Sequence, residues 1–110
     1  MSQNEAGFKH MHISQLHDLM AEDAPVIVDI RDPASFQAHH IPGAIHLSNE
    51  SLSEFLRTAD FDAPVVVCCY HGNSSQQAAQ FLISQDFTDV YSLDGGFSQW
   101  QLAYPREIEN

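Results

Sequence analysis

Positive charge is scarce in this sequence: four lysines and arginines stand against 15 aspartates and glutamates, and the formal net charge at pH 7 is −11. Nucleic acids and anionic membranes bind to basic patches, so this balance argues against both as partners. No apolar run of about 18 residues occurs, which argues against a membrane-spanning helix. The start of the chain, MSQNE, is neither basic nor apolar. We therefore expect no secretory signal and a cytoplasmic location.

Cysteine is also rare, and the two cysteines, Cys68 and Cys69, are adjacent. Adjacent cysteines form a strained disulfide because their Cβ vectors diverge, so a disulfide framework is not expected, as befits a reducing compartment. A zinc site is not expected either, because the histidines, such as His39, His40 and His46, provide no His-x-x-x-His spacing and the cysteines no Cys-x-x-Cys. We predict that the protein needs no metal and no organic cofactor.

Length and apolar content predict one domain over residues 1–110. Of these residues 44% are apolar, which is enough for one hydrophobic core and too little for two. We expect the core to span residues 8–102, with loose ends at residues 1–7 and 103–110. Strand patterns alternate with helix patterns along this core, which predicts an α/β fold: a five-stranded, mainly parallel sheet with helices on both faces.

The predicted elements follow the apolar spacing and the turn-forming residues. Strands are expected at residues 8–13, 26–30, 44–47, 65–69 and 89–93. Helices are expected after N-caps at Ser14, at Asp32, at Ser51 or Ser53, at the serine pair Ser74 and Ser75, and over residues 97–102. Ligands of such sheets bind beyond the carboxyl ends of the strands.

The loop between the fourth strand and the helix after it carries the functional prediction. Consecutive β-branched valines indicate a strand buried on both faces. Gly72 and Asn73 then favour a tight turn, and Ser74 and Ser75 offer N-cap oxygens to a new helix. This order places Cys69 at the carboxyl end of the strand, beside the first turn of the helix.

Cys69 is therefore a candidate nucleophile. N–H groups of the loop and of the first helical turn can converge on it, and the helix dipole adds partial positive charge. A cysteine in this setting has a pKa well below the free value of about 8.5. No charged residue occurs from residue 63 to residue 85, so the donors should be mainly backbone groups. The simpler alternative is a buried, inert cysteine, and we expect that role for Cys68, whose side chain points to the opposite face.

Three stretches together resemble the rhodanese family of sulfurtransferases. Residues 69–75 (CYHGNSS) are similar to the active-site loop of the family. Residues 29–36 (DIRDPASF) with 40–44 (HIPGA) resemble its amino-terminal signature, and residues 94–100 (DGGFSQW) its carboxy-terminal Gly-Gly-aromatic-x-x-Trp motif. The loop is most similar to that of small single-domain bacterial members, the thiosulfate sulfurtransferases of the glycerol regulon.

This resemblance implies a reaction and a set of site residues. The outer sulfur of thiosulfate would pass through a persulfide of Cys69 to cyanide or to a dithiol such as reduced thioredoxin, with release of sulfite. The backbone amides expected to surround this sulfur are those of Tyr70, His71, Gly72, Asn73 and Ser74, with the hydroxyls of Ser74 and Ser75 as further donors. Many rhodanese loops carry Arg or Lys and this one does not, so we expect weak binding of the donor. The loop also lacks the Cys-Gly-Ser-Gly pattern of mercaptopyruvate sulfurtransferases, which favours thiosulfate.

Two other functions stay open at this point. Cysteine phosphatases and arsenate reductases of related fold carry an arginine, which clamps the phosphoryl oxygens, at the position that Ser75 occupies here. A sulfur carrier that is loaded by a partner protein would use Cys69 in the same way as an enzyme.

Outside the loop, several residues have a structural role as their simplest interpretation. Asp29 and Arg31 are expected to form an ion pair or a turn cap at the end of the second strand. Phe97 and Trp100 are expected in the core. His71 either lines the mouth of the pocket or is an exposed loop residue.

Overall fold

The computed structural model describes residues 7–110. Five strands form one sheet in the order β1-β5-β4-β2-β3, and each neighbouring pair is parallel. The strands are β1 (Lys9–Met11), β2 (Val26–Asp29), β3 (Ile45–His46), β4 (Val65–Cys68) and β5 (Val90–Leu93). The predicted α/β fold is confirmed, and its mainly parallel sheet is parallel throughout. Most of the predicted loose amino-terminal end, residues 1–6, lies outside the described residues.

Helices cover both faces of the sheet. They are α1 (Ile13–Asp23), α2 (Pro33–Ala38), α3 (Leu52–Thr58), α4 (Ser74–Ser84) and α5 (Gly96–Ala103). Side chains of α1 and α5 share one buried cluster with Val66, and side chains of α3 and α4 share the other with Val65 and Val67. Alternate residues of β4 thus face opposite layers, as the pleat of a strand requires. None of these helices is both long and apolar enough to cross a membrane.

The fold places β4 between β2 and β5. All four of its residues are buried, which explains why the strand reads as a continuous apolar run rather than an alternating one. Trp100 on α5 is completely buried and Phe97 is 3% exposed. Both belong to the core cluster on the α1 and α5 side of the sheet.

Helix α1 begins earlier than the sequence predicts, because His12 and not Ser14 is its N-cap. The His12 ring accepts a hydrogen bond from the Ser14 N–H at 3.3 Å, and the Gln15 side chain accepts one from the His12 N–H at 2.8 Å. The pair forms a capping box in which an imidazole nitrogen replaces the usual hydroxyl oxygen. Capping rules that favour Ser therefore choose the wrong residue here.

The carboxy-terminal segment, expected to be loose, folds back onto the domain. Trp100 Nε1 donates a hydrogen bond to the Glu107 carbonyl at 2.8 Å, and Ile108 packs against the core. Backbone groups of His40 and Glu109 exchange two hydrogen bonds of 2.9 Å. Side-chain and backbone hydrogen bonds both hold the segment, including those between His17 and the Glu107 carboxylate and from the Gly43 N–H to the Glu109 carboxylate. Such scattered polar contacts leave no apolar pattern in the sequence.

Candidate active site

The carboxyl ends of β2 and β4 form the walls of a cavity of about 320 Å³. Cys69 lies in it, immediately after β4, and is 5% exposed. The lining residues come from the loop after β2 and the loop after β4: Ile30, Arg31, Asp32, Cys69, Tyr70, His71, Asn73 and Ser74. The cavity thus lies beyond the strand ends, where parallel sheets bind their ligands.

Three groups surround the Cys69 sulfur: two backbone N–H donors and one hydroxyl, which accepts from the thiol and can donate to the thiolate. The Gly72 N–H lies 3.1 Å from Sγ, and the Ser75 N–H and Ser75 Oγ each lie 3.3 Å from it. Gly72 has a φ of +93°, a left-handed conformation that glycine adopts without strain and that lets the loop turn back toward α4. The sulfur is therefore held by neutral groups, two of them from the backbone.

The sulfur also takes the place of a helix cap. The serine pair was predicted to cap α4, but the N-cap residue is Asn73, whose side chain makes no capping hydrogen bond. Ser75 is the second residue of the helix, and its N–H donates to Cys69 Sγ. An N-cap side chain normally accepts that hydrogen bond. A group at this position lies at the positive end of the helix dipole, which favours its anionic form.

Sequence reasoning missed Ser92. Its hydroxyl lies 2.7 Å from the Ser75 hydroxyl, and both residues are completely buried. If Ser92 O–H donates to Ser75 Oγ, the Ser75 O–H is free to donate to Cys69 Sγ. The signal in the sequence is a small hydroxyl side chain between the apolar residues of β5, because buried polar groups need a hydrogen-bond partner.

The pKa of Cys69 is lowered from its ordinary value. Burial is the largest single influence and acts against ionisation, but hydrogen bonds from the Ser75 hydroxyl, the Ser75 N–H, the Gly72 N–H and the His71 N–H together outweigh it. The pKa of Cys68 is raised, first by burial and then by the charge of Asp29. Cys68 is completely buried in the core. The pKa values of the two adjacent thiols are therefore shifted in opposite directions, as expected for alternate faces of a strand.

Helix α5 fixes the loop from behind. The Phe97 N–H donates to the Cys69 carbonyl at 2.8 Å and the Ser98 N–H donates to the Tyr70 carbonyl at 3.0 Å. Gly96 allows this approach, because a Cβ at that position would lie 2.4 Å from the Cys69 oxygen. With these carbonyls turned toward α5, the N–H groups of the loop are left to face the sulfur. This contact gives the Gly-Gly-aromatic motif a physical role.

Arg31 brings a cation to the cavity wall that inspection of the loop alone missed. Its Nη2 lies 2.8 Å from Asp29 Oδ2, and its backbone N–H donates to Asp29 Oδ1 at 2.9 Å, so the pair is both an ion pair and a turn cap. Nη2 also donates to the His39 carbonyl at 2.6 Å. The guanidinium lies over the rings of Phe97 and Tyr70. Arg31 is thus largely engaged by the protein, although it lines the cavity.

The other predicted loop residues lie at the mouth of the cavity. Tyr70, His71, Asn73 and Ser74 all line it. Tyr70 is 44% exposed, and its hydroxyl shares a hydrogen bond with the Ser35 hydroxyl. His71 both lines the mouth and is exposed to solvent. Of their amides, that of His71 also helps to lower the pKa of the Cys69 thiol, and the N–H groups of Gly72 and Ser75 lie within 3.3 Å of Sγ.

Nothing in the described part of the chain gathers three His, Cys, Asp or Glu side chains closely enough to hold a metal ion. The histidines considered for zinc have other partners. His40 stacks on Phe36, and His46 Nε2 lies 2.6 Å from the Arg31 carbonyl.

The parallel sheet, the loop around Cys69 and the glycine contact behind it define a rhodanese-like domain. The family model described as "Rhodanese-like domain" matches residues 12–103, and the chain belongs to this family.

Several close relatives carry one name. The chain is 54% identical over 100 residues to the thiosulfate sulfurtransferase GlpE of Pseudomonas putida, covering 91% of each chain. It is 59% identical over 88 residues to the protein of that name from Pseudomonas fluorescens, covering 80% of this chain and 81% of the relative. It is 50% identical over 102 residues to the one from Pseudoalteromonas translucida, covering 93% and 97%.

Solved structures agree on the fold. The rhodanese-like domain of the Anabaena protein Alr3790 superposes with a TM-score of 0.82 at 24% identity, over 92% of this chain and 78% of the other. The structure of reduced Bacillus anthracis CoADR-RHD superposes with a TM-score of 0.79 at 22% identity, over 94% of this chain and 18% of the other.

Proposed function

We propose that this chain is a thiosulfate sulfurtransferase that carries the transferred sulfur as a persulfide on Cys69. The observation that carries the proposal is the set of neutral donors around a thiol of lowered pKa, from Gly72 and Ser75. The name shared by relatives at about half identity over most of the chain supports the same substrate. We also propose that the chain acts as a single domain in the cytoplasm, where both of its cysteines stay free.

In the first step, the Cys69 thiolate attacks the outer sulfur of thiosulfate. A bond forms between Sγ and that sulfur, the sulfur–sulfur bond of thiosulfate breaks, and its electron pair leaves with sulfite. The thiolate, not the thiol, is the nucleophile, so the lowered pKa of Cys69 raises the reactive fraction at neutral pH. Donors already fixed around the sulfur need no reorganisation as charge moves.

The persulfide then places its terminal sulfur in the cavity. The groups that would surround it are the lining amides and hydroxyls of Tyr70, His71, Asn73 and Ser74. Cyanide or the thiolate of a dithiol such as reduced thioredoxin attacks this terminal sulfur, and the bond to Sγ breaks, which restores the Cys69 thiolate. Neither step needs a metal or an organic cofactor.

The phosphatase alternative conflicts with the site. Ser75 occupies the position of the phosphate-clamping arginine, and its backbone N–H donates to the sulfur instead. Arg31 does not replace that arginine, because Asp29 and the His39 carbonyl engage its Nη2 and Asp29 its Nε. A sulfur carrier would have the same cavity, and it differs from the enzyme only in how the sulfur arrives.

Intact mass spectrometry after incubation with thiosulfate separates these functions. We expect a gain of one sulfur atom, its loss on addition of cyanide, and no gain for Cys69→Ser. Loading only in the presence of a partner desulfurase would support the carrier instead. Hydrolysis of an aryl phosphate without sulfur loading would overturn the proposal in favour of the phosphatase.

A further inference from the structure

We propose that an apolar cleft beside the sulfur cavity binds the organic body of a small thiol that accepts the sulfur. This inference rests on the sulfurtransferase function proposed above. The cleft has a volume of about 520 Å³, within the range of roughly 300–1,000 Å³ typical of small-molecule sites. It lies between α3, α4 and the loops that follow β2 and β3.

The walls of the cleft are mainly hydrophobic. The apolar side chains that line it are those of Ile30, Pro33, Leu47, Leu52, Ala78, Phe81 and Leu82. Phe81 is 41% exposed, one of the few large apolar side chains within residues 7–110 that solvent reaches to this extent. An alkyl or aryl group in the cleft would cover this ring and remove its own surface from water.

The cleft adjoins the place where the terminal sulfur of the persulfide would lie. Ile30 and Arg31 line both the cleft and the sulfur cavity. Helix α4 connects them a second way, because Ser75 in its first turn holds the Cys69 sulfur and Phe81 further along it forms a wall of the cleft. A thiol can therefore reach the sulfur while its body occupies the cleft.

A carboxylate distinguishes the cavity from the cleft, whereas the Arg31 guanidinium, which forms an ion pair with Asp29, lines both. None of the described residues that line the cleft is an Asp or Glu, although the chain has 15 of them. The sulfur cavity, by contrast, has Asp32 at its wall, and hydrogen bonds from the Ser35 hydroxyl and N–H lower the pKa of that carboxyl. A ligand with an uncharged body meets no carboxylate in the cleft, and only its thiolate approaches the mouth. We therefore commit to an acceptor thiol with an uncharged alkyl or aryl body.

The transfer is a single displacement. The thiolate of the acceptor attacks the terminal sulfur of the Cys69 persulfide, and a new sulfur–sulfur bond forms. The bond between that sulfur and Sγ breaks, and its electron pair stays on Sγ as the thiolate. The products are an organic persulfide and the free enzyme, so no oxidant or reductant is consumed.

A series of uncharged acceptors tests the cleft: 2-mercaptoethanol, 3-mercaptopropanol, 4-mercaptobutanol and 6-mercaptohexanol. The protein is loaded with thiosulfate, freed of excess donor and mixed with each thiol, and the second-order rate of sulfur discharge is measured. Burial of a methylene contributes about 0.8 kcal/mol, which is a factor of about four. We expect a two- to fourfold rise per methylene, after correction for thiolate fraction and for the same thiols reacting with a small persulfide in solution.

Three variants show which part of the surface causes the rise in discharge rate with chain length. For each variant, the rate with every thiol is divided by its rate with 2-mercaptoethanol. Phe81→Gln should flatten the dependence on chain length, and Phe81→Leu, which keeps an apolar wall, should largely retain it. Leu102→Gln removes another exposed apolar side chain, on α5 and 75% exposed, and should keep the full dependence. The inference would be overturned if the discharge rate rose with thiol chain length no more steeply than in the solution reaction. It would also be overturned if wild type and Phe81→Gln showed the same rise with chain length.

A binding measurement keeps this test independent of sulfur loading. The S-methyl thioethers of the same alcohols cannot accept sulfur, and their binding to the unloaded protein is followed by amide chemical shifts in NMR. We expect shifts at Leu52 and Phe81 that grow with chain length. If thiosulfate does not load the protein but these shifts are present, the proposed function is contradicted and the cleft is supported. If thiosulfate loads the protein but neither the shifts nor the dependence on chain length is seen, only the cleft is contradicted.

Discussion

Replacement of Ser75 by alanine should raise the pKa of the Cys69 thiol. The variant removes the Oγ donor 3.3 Å from Sγ but keeps the backbone N–H at the same position. A hydrogen bond to a charged group contributes about 1.5–3 kcal/mol, and one pKa unit corresponds to about 1.36 kcal/mol. Loss of the hydrogen bond from the Ser75 hydroxyl to the thiolate should therefore raise the pKa of Cys69 by roughly one to two units. We expect the lower end, about one unit, because the N–H groups of Gly72 and Ser75 continue to donate to the sulfur in the variant.

The assay is the rate of alkylation by iodoacetamide as a function of pH. Cys68 does not interfere, because it is completely buried and its pKa is raised by that burial. Ser84→Ala, which removes an exposed hydroxyl at the far end of the same helix, is the control and should titrate as the wild type does. Ser92→Ala should give a smaller upward shift, since Ser92 orients Ser75 from behind. An unchanged midpoint in Ser75→Ala would show that the hydroxyl does not stabilise the thiolate.

Three further predictions follow from the same geometry. Gly96→Ala should abolish sulfur loading and lower the thermal unfolding midpoint, since the new Cβ would lie 2.4 Å from the Cys69 carbonyl and overpacking of this kind costs about 1–3 kcal/mol. Asp32→Asn should lower the KM for thiosulfate severalfold in low salt, with little change in kcat and less benefit in high salt, because a negative charge leaves the cavity wall while Asn still caps α2. Cys69→Ser should have a lower free energy of unfolding than wild type at high pH. The pKa of Cys69 in the folded protein lies below the unfolded value of about 8.5, so the thiolate stabilises the fold fully above pH 8.5. This stabilisation disappears as the pH falls through the folded pKa.

Each of these has a result that would count against it. A Gly96→Ala protein with wild-type loading would mean that the contact behind the loop is dispensable. An unchanged KM in Asp32→Asn would mean that the carboxylate does not act on the donor. A free energy difference between wild type and Cys69→Ser that is constant from pH 6 to pH 10, measured by urea unfolding, would contradict a lowered folded pKa.

The sheet and the position of Cys69 could be predicted because local and tertiary preferences agree there. The valines of β4 are buried on both faces of the sheet. Gly72, in the loop that follows Cys69, adopts the positive φ that a turn at this position suggests. Helix starts were harder, because the groups that cap α1 and α4 are an imidazole and a thiol from outside the usual set of capping residues.

The parts of the site that the sequence did not reveal depend on distant segments. Ser92 lies on β5 and Arg31 after β2, and only the strand order brings both beside the loop that follows β4. The carboxy-terminal segment folds back through hydrogen bonds at Glu107 and Glu109, whose partners include the Trp100 indole, the His17 ring and the His40 backbone. Such contacts follow from the tertiary fold and not from residue type or spacing.

The central claim is that neutral donors hold Cys69 as a thiolate that takes up one sulfur, while its neighbour stays inert. The direct measurement is fragment-ion mass spectrometry of the peptide that contains both cysteines, after treatment of the protein with thiosulfate and trapping by alkylation. The account predicts one added sulfur on Cys69 and an unmodified Cys68. Added sulfur on Cys68, or none on either residue, would contradict it.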